Sequence, residues 1–145
     1  MLFRSGGSVP SFRDFPATPQ KLSPVTPIVT APYRLFRTAI RRGARFGPNF
    51  AGHFTVVEWG AGAGGVCWAI VDAKSGKLGD GGCAETGGVD GQQPQFRLDS
   101  RLLILTGGLR GERDGVAYYE WTGSKLRELR FIPATELCER KLSSP

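Results

Sequence analysis

The chain has 145 residues, with 19 Lys and Arg against 13 Asp and Glu and a formal net charge of +6. Its length suits one domain that can bury a single core without a metal or a dense disulfide framework. No run approaches the ~20 apolar residues of a membrane span, and residues 1–8 lack the apolar stretch of about 7–15 residues that marks a secretory signal. As written, that start predicts a cytoplasmic protein. A gene start upstream of Met1 would predict a periplasmic or secreted one.

The charge is unevenly placed. Residues 1–46 hold eight basic groups against one acid, Asp14, a net +7, and residues 47–145 hold eleven against twelve, a net −1. A basic balance of this kind is a property of one arm and leaves the remainder near neutral.

Residues 1–32 carry Pro10, Pro16, Pro19, Pro24, Pro27 and Pro32 among Ser, Thr and Ala. Proline removes backbone donors, and this composition offers little to bury, so the segment reads as a disordered, removable basic leader. A single globular domain is expected over 33–145. From 33 to 46 the period becomes helical, with Tyr33, Phe36, Ile40 and Ala44 on one side. Arg34, Arg37, Arg41 and Arg45 recur on another at three- and four-residue steps, and Gly47-Pro48 stops the helix.

Thereafter the period is two. Strands are expected over 54–59, 66–72, 102–106, 116–121 and 126–132, with turns at 73–76 and 122–124 and a flexible link over 107–115. Residues 79–95, rich in Gly, Gln and Asp, read as a long loop. Pro133 ends the last strand, and a short helix is expected over 134–141. The expected fold is therefore α+β and mostly β, with one N-terminal helix packed on a curved antiparallel sheet of about five strands.

Few residues offer chemistry. Gly60-Ala-Gly62-Ala-Gly-Gly65 matches the spacing of a dinucleotide loop. That loop works by opening a helix onto a pyrophosphate. The following Val66-Cys-Trp-Ala-Ile-Val71 has no helical period, so a glycine hairpin is the better reading and no cofactor is expected. His53 is the only histidine. A hydrolase or thiol enzyme would have to pair it with a nucleophile such as Cys67 or Cys83. The plainer alternative is a hydrogen-bonded histidine at a strand start. His53 and the three cysteines lack the paired spacing of a zinc site, so no metal is expected. Cys67, in the second strand, and Cys83, past the turn at 73–76, can be brought together as a disulfide. A reduced, buried Cys67 is the alternative.

Arg97, Asp99 and Arg101 alternate and would share one face of an extended segment, either as an ion-pair ladder or, with His53, as a ligand-binding strip. Trp59, Trp68, Tyr118, Tyr119 and Trp121 make the strands aromatic. They could stack bases, although half-buried strands use such residues as core. The arginines of the helix are either a solvated face or a weak contact for an anionic polymer or membrane surface.

Several ordered motifs form a recognisable set: Pro48-Asn-Phe-Ala-Gly-His-Phe54, Glu58-Trp-Gly60, Ala69-Ile-Val-Asp72, Ser75-Gly-Lys77, Phe96-Arg-Leu-Asp-Ser-Arg-Leu-Leu103 and Tyr118-Tyr-Glu-Trp121. Over about residues 33–132 the chain resembles a group of small, mostly exported bacterial proteins of uncharacterised function. In that group Trp-Gly is commonly followed by Cys-Gly-x-x-Cys, where this chain has Ala61 and Gly65, and Cys83 matches a cysteine further along. The resemblance implies a shared fold and an envelope location, and no activity. The expected function is a non-catalytic exported or envelope binding domain. The His53 enzyme and the arginine-helix polyanion binder are the alternatives.

Overall fold

The computed structural model describes residues 9–60, 65–85, 94–107 and 113–136. Among the described residues six strands, β1 (Phe54–Gly60), β2 (Gly65–Asp72), β3 (Leu78–Glu85), β4 (Leu102–Thr106), β5 (Gly115–Trp121) and β6 (Leu126–Pro133), follow the helix α1 (Arg37–Ala44). A six-residue 3-10 segment, Ala31–Phe36, leads into α1. The strands form two antiparallel three-stranded sheets, β1-β2-β3 and β4-β5-β6. The expected single sheet of about five strands is thus corrected to two sheets of three.

The difference arises at β3. Its residues, Leu-Gly-Asp-Gly-Gly-Cys-Ala-Glu, show no apolar alternation, so nothing in their pattern announces a strand. Crowding explains the glycines. A Cβ at Gly81 would stand 2.5 Å from the carbonyl oxygen of Trp68 and 2.7 Å from the hydroxyl of Tyr33. Pairing with β2 supplies the order that side-chain burial does not, with Cys67 opposite Cys83 in register. Asp80 then accepts a hydrogen bond at 2.8 Å from the backbone N–H of Leu126, tying β3 to the first residue of β6.

Alternation along the other strands divides the apolar residues between faces. Phe54, Val56, Trp68 and Ile70 from the first sheet meet Leu103, Leu105, Ala117, Tyr119 and Trp121 from the second in the central core. The opposite face of the first sheet, with Val57, Trp59, Cys67, Ala69 and Val71, is covered by Ile40 of α1 and by Tyr33 and Phe36. A Cβ at Gly43 would lie 2.4 Å from Val57 Cγ1, so glycine lets α1 sit directly on β1.

The outer face of the second sheet, carrying Leu102, Tyr118 and Ile132, is covered by Phe15, with Val9 and Phe12 packed alongside. These three belong to the segment expected to be a disordered leader, and from residue 9 onward that expectation is corrected. Ala17 N–H donates to Asp99 O at 2.9 Å, Gln20 N–H to Gly52 O at 2.9 Å, Ile28 N–H to Gly76 O at 2.7 Å, and Arg101 N–H to Phe15 O at 2.7 Å. Prolines that cannot donate leave their neighbours to make these bonds, and the segment crosses the fold as an extended strap. Residues 1–8, the link at 108–112 and most of the expected terminal helix at 134–141 lie outside the described residues.

Candidate polyanion-binding face

The arginines occupy α1 and the 3-10 segment before it because Ile40 and Ala44 are buried against the first sheet and the opposite side must face solvent. Arg34, Arg37, Arg41 and Arg45 are all exposed, and so is Arg42. None of the five forms an ion pair or a side-chain hydrogen bond among the described residues. Arg37, Arg41 and Arg45 are spaced four apart, where like charges repel. The helix is therefore held by packing and carries uncompensated charge that an external anion would relieve. Arg41 and Arg42 lie in its last turn, a position that suits cations. A depression of about 230 Å³ beside it is lined by Pro24, Val25, Thr26, Pro27, Arg41 and Arg45.

Two large apolar side chains share this surface. Leu35 is 93% exposed and Phe46 87%. Leu35 lies in the 3-10 segment and Phe46 just past the end of α1, with the exposed Thr38 and Arg42 between them in sequence at steps of three and four. Sequence reasoning singled out neither the two apolar residues nor Arg42. The same three- and four-residue spacing that revealed the other arginines would have found them, had the exposed face been read as closely as the buried one.

The other expected site residues do not converge. His53 Nε2 lies 3.8 Å from Asp72 Oδ1, and its ring packs at a tilt of 33° against Phe54, 4.2 Å between centroids. Ala73 N–H donates to the His53 carbonyl at 2.9 Å. These contacts place His53 at the turn between β2 and β3. Cys67 lies opposite Trp59 at the far end of the same ladder, six residues along and so ~20 Å away. Cys67 and Cys83 are joined as a disulfide, which consumes both thiols. The arrangement therefore gives His53 no nucleophile from this pair, and two of the four donors of a His–Cys metal site are already bonded to each other.

Arg97, Asp99 and Arg101 are not an extended strip, because residues 98 and 99 form a turn. Arg97 Nε pairs with Asp99 Oδ1 at 3.1 Å, and its guanidinium stands 5.7 Å over the ring of Phe12. Arg101 points elsewhere. It donates through Nη1 to the carbonyl of Pro16 and through Nη2 to Glu120 Oε2 at 3.1 Å, joining the strap to β5. Burial alone would raise the Glu120 carboxyl, but hydrogen bonds from Arg101 and Arg127, with their charges, outweigh it and hold its pKa below the ordinary value. A shallow cleft of about 280 Å³ lies among Phe12, Arg13, Pro16, Arg97 and Asp99. Its one acid and one of its bases neutralise each other.

The motif around His53 is architectural. Asn49 pairs with Val56 through both ends of its amide, accepting from N–H at 2.7 Å and donating to C=O at 3.1 Å. Ala51 N–H donates to Ser100 O at 3.1 Å and Gly52 N–H to Leu98 O at 2.8 Å. The aromatic residues are likewise spent inside. Trp68, Tyr119 and Trp121 are buried in the central core, and Trp59 lies under Phe36 at 5.2 Å, leaving no open stacking platform from these residues. Residues 61–64 of the expected glycine hairpin lie outside the described residues, and β2, the strand that follows them, stands where a dinucleotide site needs a helix.

No protein-family profile matches this chain, and neither does any curated protein or solved structure. Among the described residues, no helix is long and apolar enough to cross a membrane.

Proposed function

We propose that this protein is a non-catalytic binding domain that engages polyanionic surfaces through the arginine face of α1, and that it works in an oxidising compartment of the cell envelope or outside the cell. The observation that carries the reading is the set of five exposed arginines, Arg34, Arg37, Arg41, Arg42 and Arg45, with no acidic partner among the described residues. A solvated helix that only needed solubility would intersperse acids with its bases at i,i+4. This one has no acid between Phe15 and Asn49. The Cys67–Cys83 disulfide supports the compartment, because such bridges persist where thiols are not kept reduced. The motif set of the sequence, read as a resemblance to small exported bacterial proteins, is consistent with that compartment.

The recognition is electrostatic and carries no sequence code, since the depression on this face presents Arg41 and Arg45 beside the strap and suits a phosphate-like anion more than a particular base or sugar. The test is a titration with heparin of the wild type, of an Arg41→Gln/Arg42→Gln/Arg45→Gln variant, and of a Lys74→Gln/Lys77→Gln/Lys125→Gln control that removes the same charge elsewhere. The helix variant loses most of its affinity and the control keeps most of it. Equal losses in the two would mean that net charge, and not this face, binds.

A further inference from the structure

The arginine face carries a feature that a soluble polyanion does not use. Leu35 and Phe46, at 93% and 87% exposure, are far more exposed than Val25 and Ile28, at 38% and 55%. They stand at the two ends of the helical segment, with Thr38 and Arg42 between them at three- and four-residue steps and Arg41 and Arg45 flanking. A large apolar side chain left in water at each end of a basic helix is the arrangement of a helix that lies in a membrane interface. There, apolar residues enter the acyl boundary while arginines hold the headgroup phosphates.

We infer that the outer face of α1 docks on the surface of an anionic lipid bilayer, with Leu35 and Phe46 as the inserting side chains. The inference rests on the proposed function and names the source of the anion. Charge complementarity selects the lipid, because arginines without acidic partners match a surface of phosphodiester headgroups. The apolar pair selects a bilayer over a dissolved polymer, because a dissolved polyanion has no interior in which to bury it. The mounting is suited to the task. Ile40 is fully buried against the first sheet and Gly43 lets α1 sit directly on β1, so the face is presented by a rigid body. The strap residues Pro24, Val25, Thr26 and Pro27 wall one side of the depression at Arg41 and Arg45, a recess open to a headgroup phosphate. Docking of this kind places the protein on the membrane without crossing it, and single residues at each end make the attachment reversible.

The experiment separates lipid from soluble anion. The full chain is titrated with vesicles of equal parts phosphatidylglycerol and phosphatidylcholine, with vesicles of phosphatidylcholine alone, and with heparin. A Leu35→Ser/Phe46→Ser variant keeps every charge and, because both side chains are exposed, keeps the core. The wild type binds the anionic vesicles and not the neutral ones. The double variant loses about tenfold or more of its vesicle affinity while its heparin affinity stays unchanged. Wild-type protein that binds heparin and ignores anionic vesicles would overturn the lipid inference and leave the polyanion reading standing. So would a double variant that binds vesicles as well as the wild type does. Failure to bind either ligand would overturn both.

Discussion

The hydroxyl of Ser100 donates a 2.8 Å hydrogen bond to the carbonyl oxygen of Phe12, 88 positions earlier in the chain. The Ser100 hydroxyl oxygen in turn accepts the N–H of Leu102 at 3.1 Å, so one buried serine joins the N-terminal strap to the start of β4. The strap is therefore part of the fold's outer layer. Ser100→Ala leaves the Leu102 N–H without this partner and costs about 1–3 kcal/mol. Phe15→Ala, which empties the site between Leu102 and Ile132, costs about 3–5 kcal/mol. Denaturant unfolding measures both. A Phe15→Ala protein as stable as the wild type would show that the second sheet does not depend on its cover.

The disulfide closes a loop of sequence separation 16, which stabilises by roughly 3 kcal/mol in the chain-entropy account. Because β3 has little apolar burial of its own, the bridge and its β2 ladder carry much of its order. A Cys67→Ala/Cys83→Ala variant loses about 2–4 kcal/mol. Hydrogen exchange on that variant shows Leu78–Glu85 opening before β1 and β2. Mass spectrometry of protein folded under oxidising conditions finds the 67–83 bridge; a bridge to Cys138 would contradict the pairing.

Two glutamates make opposite contributions to acid stability. The Glu120 carboxyl is held below its ordinary pKa, so it stabilises the fold above the unfolded value, about 4.3, and that contribution is lost as the pH falls through the lower, folded value. Glu58 lies on the exposed side of β1, and partial desolvation by its neighbours there raises its pKa. Its charged form penalises the fold at neutral pH, and the penalty disappears as the pH falls below the unfolded value. Glu120→Gln lowers stability at pH 7 by about 1 kcal/mol, an effect that fades on acidification. Glu58→Gln raises it at pH 7, and that gain also vanishes in acid. Thermal melts of both variants across pH 3–7 (a range of about four units spanning these groups) check the signs. A destabilised Glu58→Gln at pH 7 would contradict the assignment.

Five of the six strands were legible because Phe54, Val56, Trp68, Ile70 and their partners alternate faces at period two, the pattern a half-buried strand imposes. β3 was not legible, because its residues are chosen by crowding at Gly81 and by pairing through Cys83, neither of which leaves a period. The strap escaped for a related reason. Its prolines report the absence of helix and sheet, but burial of Phe15 on the second sheet, with Phe12 packed beside it, is a tertiary event with no local signature. The arginine stripe was legible as spacing. That it is unpaired is a fact about its neighbours in space, and only the structure supplies them.

The central claim is that the arginines of α1 make the contact with a polyanion, and the salt dependence of binding tests it most directly. Affinity of the wild type for heparin is measured over a series of salt concentrations and plotted logarithmically, where each cation–phosphate-like contact adds a slope of about 0.7–0.9. For Arg41→Gln/Arg42→Gln/Arg45→Gln the slope falls by about two to three, and the curves of the two proteins converge at high salt. An unchanged slope in the variant, or wild-type binding indifferent to salt, would contradict the account.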